Sequence, residues 1–395
     1  LRAQDEPGVL SMVSGRFASQ GVSFASMVQK GGRDADEHQT AQIEQYLVQA
    51  EKIYEKDDSE EGQMPPHSYL DLVKSGMVVE MNPMNEYLDN IISMINMDAI
   101  RERDLRIAID PMYGVSLTAL CTILSIARCT VETINAQHDT LFGGKVPAPT
   151  EDTLRNLQNY VLDRYCDIGI ATDGDADRLG VIDDKGHYLH ANTILVMLYY
   201  YLLKYKGWRG PAVRNISTTH VLDRVAESFG QKCYEVPVGF KYISAKMQET
   251  DAIIGGESSG GLTVKGDIHG KDGIYAASLL VEMIAVSGKK LSEIAEDIRK
   301  EYGEIHMEER AYRFTLEEKE RIQKVLMEDK GLPELPFAAD HVSYLDGCKV
   351  YFQNGGWVSA RFSGTEPLLR IFCEMETEHE AVQVCEIFEE YLHLH

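Results

Sequence analysis

From about residue 85 onward, apolar positions along the chain alternate between helical and extended spacing. A helical spacing over Tyr87–Ile100 is followed by a short apolar run at Arg106–Asp110, a turn at Pro111–Gly114 and a second helical stretch at Ser116–Ala127. Strands are predicted again at Thr130–Asn135 and Asp167–Ala171, on either side of a helix at Glu151–Tyr165. A second unit of the same kind runs through strand Ala212–Ile216, helix His220–Phe229, strand Cys233–Glu235, helix Tyr242–Gln248, strand Ala252–Gly255 and helix Ile274–Ser287. Short strands without a polar face suit parallel sheets covered by helices on both sides. Beyond Glu301 the pattern becomes α+β: a helix at Leu316–Leu326, a hairpin-like pair at Lys349–Phe352 and Trp357–Arg361, a strand at Leu369–Glu374 and a final helix at Glu378–Leu392. The opening region is less regular, with a helical stretch at Glu37–Glu55 and an acidic loop from Lys56 to Pro66. The fold class is therefore multi-domain α/β, with mixed parallel sheets sandwiched by helices in the centre and a C-terminal α+β domain. Boundaries are expected near residues 84/85, 208/209 and 305/306.

Composition narrows the function more than the fold. With 395 residues, 44% apolar and 26% charged, the chain has material for several cores and no disordered or fibrous signature. Its net charge of −24 opposes nucleic acid and anionic membranes, which attract positive fields. Any phosphate ligand must be captured locally, by clustered Arg, Lys and backbone N–H groups that reverse the potential inside a cleft. Seven scattered cysteines without a Cys-x-x-Cys spacing read as reduced core thiols. The longest apolar run, Thr193 to Leu203, contains three tyrosines and is too short to cross a bilayer, so a cytoplasmic location is expected. The sequence starts at Leu1 rather than Met, which suggests that a preceding segment is missing.

Three short stretches carry chemistry. Asp173-Gly174-Asp175-Ala176-Asp177-Arg178 follows a predicted strand, and carboxylates at alternate positions of a turn can converge on one hard cation such as Mg²⁺. An EF-hand is disfavoured, because Arg178 occupies its invariant glycine position and a strand rather than a helix precedes the loop. In Gly255-Gly256-Glu257-Ser258-Ser259-Gly260-Gly261, glycines permit close backbone approach, while Glu257 and Ser259 can hydrogen-bond adjacent sugar hydroxyls. A glycine-rich turn also serves as a plain tight connection, so this loop alone leaves both readings open. Lys271, in His269-Gly270-Lys271-Asp272-Gly273, is a candidate point charge for a phosphate or an exposed lysine at a helix start. The third stretch, Arg361-Phe362-Ser363-Gly364-Thr365-Glu366-Pro367 with Arg370, concentrates guanidinium, hydroxyl and backbone donors suited to a phosphate dianion, although a satisfied hairpin turn is the alternative.

In order and spacing these three loops resemble the signatures of the α-D-phosphohexomutase superfamily. Asp110-Pro111-Met112-Tyr113-Gly114, Leu141-Phe142-Gly143-Gly144, Thr218-Thr219-His220 and Val238-Gly239-Phe240-Lys241 add to the resemblance, which covers residue 85 to the end. It implies a four-domain enzyme whose domains each lend one loop to a central cleft, and a Mg²⁺-dependent phosphoglucomutase or phosphomannomutase activity through a phosphoserine and a hexose bisphosphate. Asp173, Asp175 and Asp177 would hold Mg²⁺ against the phosphoserine oxygen. Glu257, Ser259 and Lys271 would hold the sugar phosphate, Arg361, Ser363, Gly364, Thr365 and Arg370 would hold the phosphate that is not transferred, and Arg178 and Lys271 would offset developing charge. The partner implied is glucose or mannose phosphate, in a monomer or homodimer. The family's catalytic loop, Thr-Ala-Ser-His-Asn-Pro, is not found in this sequence. By distance, Met12-Val13-Ser14-Gly15-Arg16-Phe17 takes its place, between Gly8-Val9-Leu10 and Gly31-Gly32, and makes Ser14 the candidate phosphoserine and fourth metal ligand. That departure keeps two other readings open: a sugar-phosphate-binding homologue without the chemistry, and a hexose-bisphosphate synthase.

Overall fold

A computed structural model describes residues 2–3, 41–42, 44–45, 69–76, 78–304, 306–364 and 366–394. Two compact units divide the chain, residues 1–90 and 91–395. In the first, β1 (Arg2–Ala3) pairs antiparallel with β2 (Val78–Val79), and helix α1 (Tyr69–Lys74) precedes β2. The candidate Ser14 lies outside the described residues, as do residues 12, 13 and 15–17 around it.

The single helix expected over Tyr87–Ile100 is two helices, α2 (Met84–Met94) and α3 (Met97–Arg101). Asn96 makes the break: it leaves helical geometry and its side chain accepts the Ala99 N–H at 3.0 Å, a cap that starts a new helix. The chain then builds a five-stranded sheet in the order β4-β3-β5-β6-β7, from β3 (Arg106–Asp110), β4 (Thr130–Thr133), β5 (Ile168–Thr172), β6 (Leu179–Ile182) and β7 (Tyr188–Leu189). Helices α4 (Leu117–Ile126) and α5 (Arg155–Arg164) connect the first three strands, which are parallel; β6 and β7 run antiparallel.

The apolar run at Thr193–Leu203 becomes helix α6 (Ala191–Lys204), buried on nearly every side. No helix among the described residues is long and apolar enough to cross a membrane. A four-stranded sheet follows in the order β11-β10-β8-β9, built from β8 (Ala212–Asn215), β9 (Cys233–Val236), β10 (Ile254–Gly256) and β11 (Leu262–Val264). Its connecting helices are α7 (Val221–Ser228) and α8 (Phe240–Thr250), and β11 is again the antiparallel addition. Helix α9 (Gly273–Ser287) touches α3, α4, α6, β5 and β6, and thirteen of its residues, from Gly273 to Ala285, are buried. At about 1.5–3 kcal/mol for each large apolar side chain withdrawn from water, such helices fix the unit around them.

After α10 (Leu291–Tyr302) the chain forms a five-stranded antiparallel sheet in the order β12-β16-β15-β14-β13: β12 (His306–Arg313), β13 (Ala339–Ser343), β14 (Cys348–Phe352), β15 (Trp357–Phe362) and β16 (Leu368–Met375). Helix α11 (Leu316–Gln323) and the last helix, α12 (Glu378–Leu392), belong to the same region, and Ile322, Val350, Ile371, Val384 and Phe388 share its core. The expected α/β class, with mixed sheets in the centre and a C-terminal α+β region, is what the chain adopts. One correction concerns the elements: β6, β7, β11, β12, β13 and α10 carry no signal in the pattern read above. Four of these strands are only two to five residues long, and β6 and β11 begin directly after glycine-bearing turns that read as loops.

Candidate active site

Each of the three chemical loops closes an antiparallel strand pair. The aspartate loop joins β5 to β6, where Thr172 faces Leu179; the Glu257 loop joins β10 to β11, where Gly256 faces Leu262; and the Ser363 loop joins β15 to β16, where Phe362 faces Leu369. A tight turn between paired strands holds short polar side chains at the end of a rigid sheet, which is where α/β folds present ligands.

Within the first loop, ligand oxygens of Asp173, Asp175 and Asp177 all lie within 4.8 Å of one another. The turn is closed by the Arg178 N–H on Asp173 Oδ1 at 3.0 Å and the Ala176 N–H on the Asp173 carbonyl at 3.1 Å, with Ala176 in the left-handed region at φ 64°. Burial raises the Asp173 carboxyl to about 6; Asp177 and Asp175 push the same way, while hydrogen bonding and the charge of Arg178 oppose them. Arg178 Nε lies 2.9 Å from Asp173 Oδ2 and 3.6 Å from Asp177 Oδ1, and Lys271 Nζ pairs with Asp177 Oδ2. Asp177 Oδ1 is nevertheless buried without a hydrogen-bond partner. Three convergent carboxylates, one with an orphaned oxygen and one raised chiefly by burial, form a donor set that fits a hard divalent cation such as Mg²⁺.

Two stretches singled out in the sequence build this turn from below. A side chain at Gly114 would place Cβ 2.5 Å from the Gly174 carbonyl oxygen, so the two backbones touch, and Val115 N–H donates to that same oxygen at 3.2 Å. Phe142 fills the space beside Gly174, where a Cβ would meet its ring at 3.2 Å.

The first and second loops are stitched together. Arg178 and Gly261 form an antiparallel bridge, the Leu179 N–H donates to the Gly260 carbonyl at 3.3 Å, and the Gly273 N–H donates to the Ala176 carbonyl at 3.0 Å. Lys271 reaches Asp177 by crossing Gly261, where a Cβ would lie 2.3 Å from Lys271 Cδ. In Gly261→Ala the flexible lysine is expected to move aside with little loss of thermal stability. Its ammonium is then displaced from the aspartate loop. In the second loop Glu257 Oε1 accepts from Asn215 Nδ2 at 3.2 Å and from the Gly239 N–H at 3.3 Å, and Ser259 Oγ lies 3.4 Å from Glu257 Oε2.

In the third loop Arg361 and Arg370 sit directly opposite each other on adjacent strands. Like charges in that register repel. Each guanidinium is held by carboxylates: Arg361 Nε by Asp346 at 3.2 Å, Arg370 by Glu309 and Glu366, both at 3.1 Å. Both arginines line a cavity of about 510 Å³ together with Arg178, Glu257, Ser259, Ser363 and Gly364. Its size lies in the range of small-molecule sites. The clustering of cations expected of a phosphate site is present here, with three guanidiniums around one cavity, each paired with carboxylates.

Of the expected residues, Arg178, Glu257, Ser259, Arg361, Ser363, Gly364 and Arg370 share this cavity. Asp173, Asp175, Asp177 and Lys271 do not line it: the aspartate loop reaches it through Arg178, and Lys271 is paired with Asp177. Thr365 and Ser14 lie outside the described residues. Sequence reasoning missed His190, Asn215 and Glu309. Asn215 ends a strand of a parallel pair, a position at which ligand-facing residues are expected, so a signal existed. Glu309 stands on β12, for which no strand is predicted, and burial raises its carboxyl above the usual range against the pull of Arg370.

The family models of phosphoglucomutase/phosphomannomutase α/β/α domain II, α/β/α domain III and the C-terminal domain match residues 85–186, 190–302 and 307–390. The chain belongs to the phosphoglucomutase/phosphomannomutase family. This places it in the α-D-phosphohexomutase superfamily, as the loops imply. Among curated relatives, a phosphoglucomutase/phosphomannomutase of Thermococcus kodakarensis is 31% identical over 306 residues, covering 76% of this chain and 63% of the relative. A probable phosphoglucosamine mutase of Methanopyrus kandleri is 29% identical over 315 residues, covering 79% of this chain and 66% of the relative. The chain therefore spans about two thirds of the length of these phosphohexomutase relatives. Among solved structures, a candidate phosphomannomutase from Thermus thermophilus superposes with a TM-score of 0.67 at 26% identity, covering 79% of this chain and 66% of that one. The Aspergillus fumigatus N-acetylphosphoglucosamine mutase, solved with GlcNAc-6P and magnesium, shares the fold at a TM-score of 0.60 and 12% identity, covering 93% of this chain and 85% of that one.

Proposed function

We propose that this chain carries the metal, sugar and phosphate loops of a phosphohexomutase that interconverts hexose 1- and 6-phosphates. The observation that carries this reading is the cross-strand pair Arg361–Arg370 facing the same cavity as Glu257, Ser259 and Arg178. Two opposed guanidiniums favour a dianion between them, and a carboxylate with a hydroxyl suits paired sugar hydroxyls.

In this reading Arg361, Ser363, Gly364, Thr365 and Arg370 anchor the phosphate that is not transferred. Glu257 and Ser259 grip hydroxyls that lie in similar places when the sugar binds in either direction. A phosphoserine, Ser14, gives its phosphoryl group to the free hydroxyl of the hexose monophosphate. The serine P–O bond breaks, a P–O bond to the sugar forms, and the hydroxyl proton ends on the serine oxygen. The bisphosphate reverses and returns its other phosphoryl group to the serine. A cation held by Asp173, Asp175 and Asp177 would supply charge neutralisation at the phosphoryl oxygens. Arg178 and Lys271, already paired with those aspartates, add positive charge beside them.

The test is turnover of glucose 1-phosphate and mannose 1-phosphate with Mg²⁺, followed by product analysis. Glucosamine 1-phosphate belongs in the same assay, because the relatives include phosphoglucosamine mutases. Conversion to a 6-phosphate is expected; no turnover on any of the three overturns the reading. Incubation with a hexose 1,6-bisphosphate should add one phosphate by intact mass, and Ser14→Ala should abolish it. A protein that binds hexose phosphate but is never labelled would be the homologue without chemistry. Product that stops at the bisphosphate and requires an external donor would mark a synthase.

A further inference from the structure

The tract from Asn215 to His220 lies between two of the three loops, and the reading above gives it no role. It leaves the carboxyl end of β8 and enters α7. On one side it holds the sugar loop. Thr218 Oγ1 accepts the Ser258 N–H at 3.2 Å, and Asn215 Nδ2 donates to Glu257 Oε1. The asparagine is itself locked, since its Oδ1 accepts from the Ser217 N–H at 2.9 Å and from Thr218 Oγ1 at 2.8 Å.

On the other side the same tract holds the sheet that carries both arginines. The His220 N–H donates to Glu374 Oε1 at 3.1 Å, and Glu374 lies on β16 four positions beyond Arg370, on the same face of the strand. From β14, Lys349 Nζ donates to the Ile216 carbonyl at 2.6 Å and to Glu235 Oε2 at 2.7 Å, and lies 3.0 Å from His220 Nε2. Arg214 and Asp223 complete a balanced set of two cations and two carboxylates. The His220 ring stacks on Trp357 at 5.5 Å and stays neutral, because burial pushes its pKa down to about 3. Lys349 is 1% exposed and Thr218 fully buried. Ser217 Oγ and Glu374 Oε2 are left without a partner, but the bonds made by Thr218, His220 and Lys349 resist displacement, since moving either sheet would strand a buried charge or donor.

We propose that the Asn215–His220 tract is a strut that fixes the separation between the sugar loop and the two-arginine pocket, with Thr218 and Lys349 as positioning residues. This rests on the phosphohexomutase reading, because the strut matters only to a ligand that touches both loops. A hexose monophosphate does so; inorganic phosphate occupies the arginine pocket alone. With the spacing held, the second contact of the sugar phosphate forms at a high effective concentration, and with the strut cut that advantage is lost.

The experiment compares glucose 6-phosphate, or the hexose monophosphate selected by turnover, with inorganic phosphate. Calorimetric titration is run on the wild type, Thr218→Val, Lys349→Met and the double variant. In each single variant the sugar phosphate Kd should rise about tenfold while the phosphate Kd changes by less than about twofold. The double variant should be no weaker than the worse single variant, because a strut cut once is already broken. Parallel changes for both ligands, unchanged affinities, or additive losses overturn the strut. Should Lys349→Met fail to fold, the shape-preserving Thr218→Val decides through the same ratio. Failure of the wild type to bind any hexose monophosphate more tightly than phosphate sinks the phosphohexomutase reading itself.

Discussion

Asp175→Asn is expected to lower divalent-cation affinity by about a hundredfold or more, with hexose phosphate turnover falling by about a hundred- to a thousandfold. Of the three aspartates it gives the cleanest test. Asp173 and Asp177 are held by Arg178 and Lys271, and Asp173 also closes the turn, so replacing either changes the loop as well as the ligand set. Asp175 is exposed and enters none of these pairs. The amide keeps its shape and removes one negative charge and one strong oxygen ligand. Thermal stability without metal should be unchanged or slightly higher, since mutual repulsion within the trio falls. The stabilisation that Mg²⁺ or Mn²⁺ gives the wild type in a thermal melt should disappear. A variant that still gains that stabilisation would show that the aspartate loop is not the cation site.

Arg361→Ala should weaken hexose monophosphate binding by about a hundred- to a thousandfold, in the range for truncating a buried, hydrogen-bonded charge at an interface. Arg361 is only 9% exposed and lies on a strand rather than in a mobile turn, so its guanidinium is pre-aimed at the cavity. Its loss also releases Asp346, which accepts the Val238 N–H at 2.9 Å and would then present an uncompensated carboxylate near the phosphate. Arg361→Lys restores the charge but not the planar fork and should recover only part of the affinity. Inorganic phosphate, measured by titration calorimetry, should weaken in parallel with the sugar phosphate. Loss for the sugar phosphate alone would place Arg361 at the sugar rather than at the phosphate.

Much of the site was legible because its chemistry is local. An Asp-x-Asp-x-Asp turn, a Gly-Glu-Ser-Ser-Gly turn and an Arg-x-Ser-Gly-Thr turn each concentrate their functional groups within seven residues or fewer, so residue type and spacing suffice to propose a ligand. Helices Glu378–Leu392 and Gly273–Ser287 were legible for a related reason, since long periodic apolar stretches are strong signals. Strands β6 and β11 were not, because three or four residues after a glycine turn hold too little pattern to be told from loop. Glu309 was invisible as a site residue because its place at the cavity depends on the pairing of a strand that the pattern does not show, whereas Asn215, at the end of a predicted strand, could have been proposed. The break at Asn96 was hidden by continuous helical spacing on both sides of a cap.

What the residues alone determined is the kind of chemistry available: a carboxylate trio for a hard cation, a carboxylate and hydroxyl for sugar, and guanidiniums for phosphate, all within an acidic α/β chain. Only the folded chain decided that Arg178 of the aspartate loop shares a cavity with the sugar and phosphate loops, because that depends on contacts between positions scores of residues apart. Arg178 bridges to Gly261, Arg361 faces Arg370 across a strand pair, and Lys349 is buried against Ile216. Each of these is a consequence of sheet register and of glycines that let backbones touch. Neither is written in the local pattern of the sequence, since register is settled by which buried faces pack together.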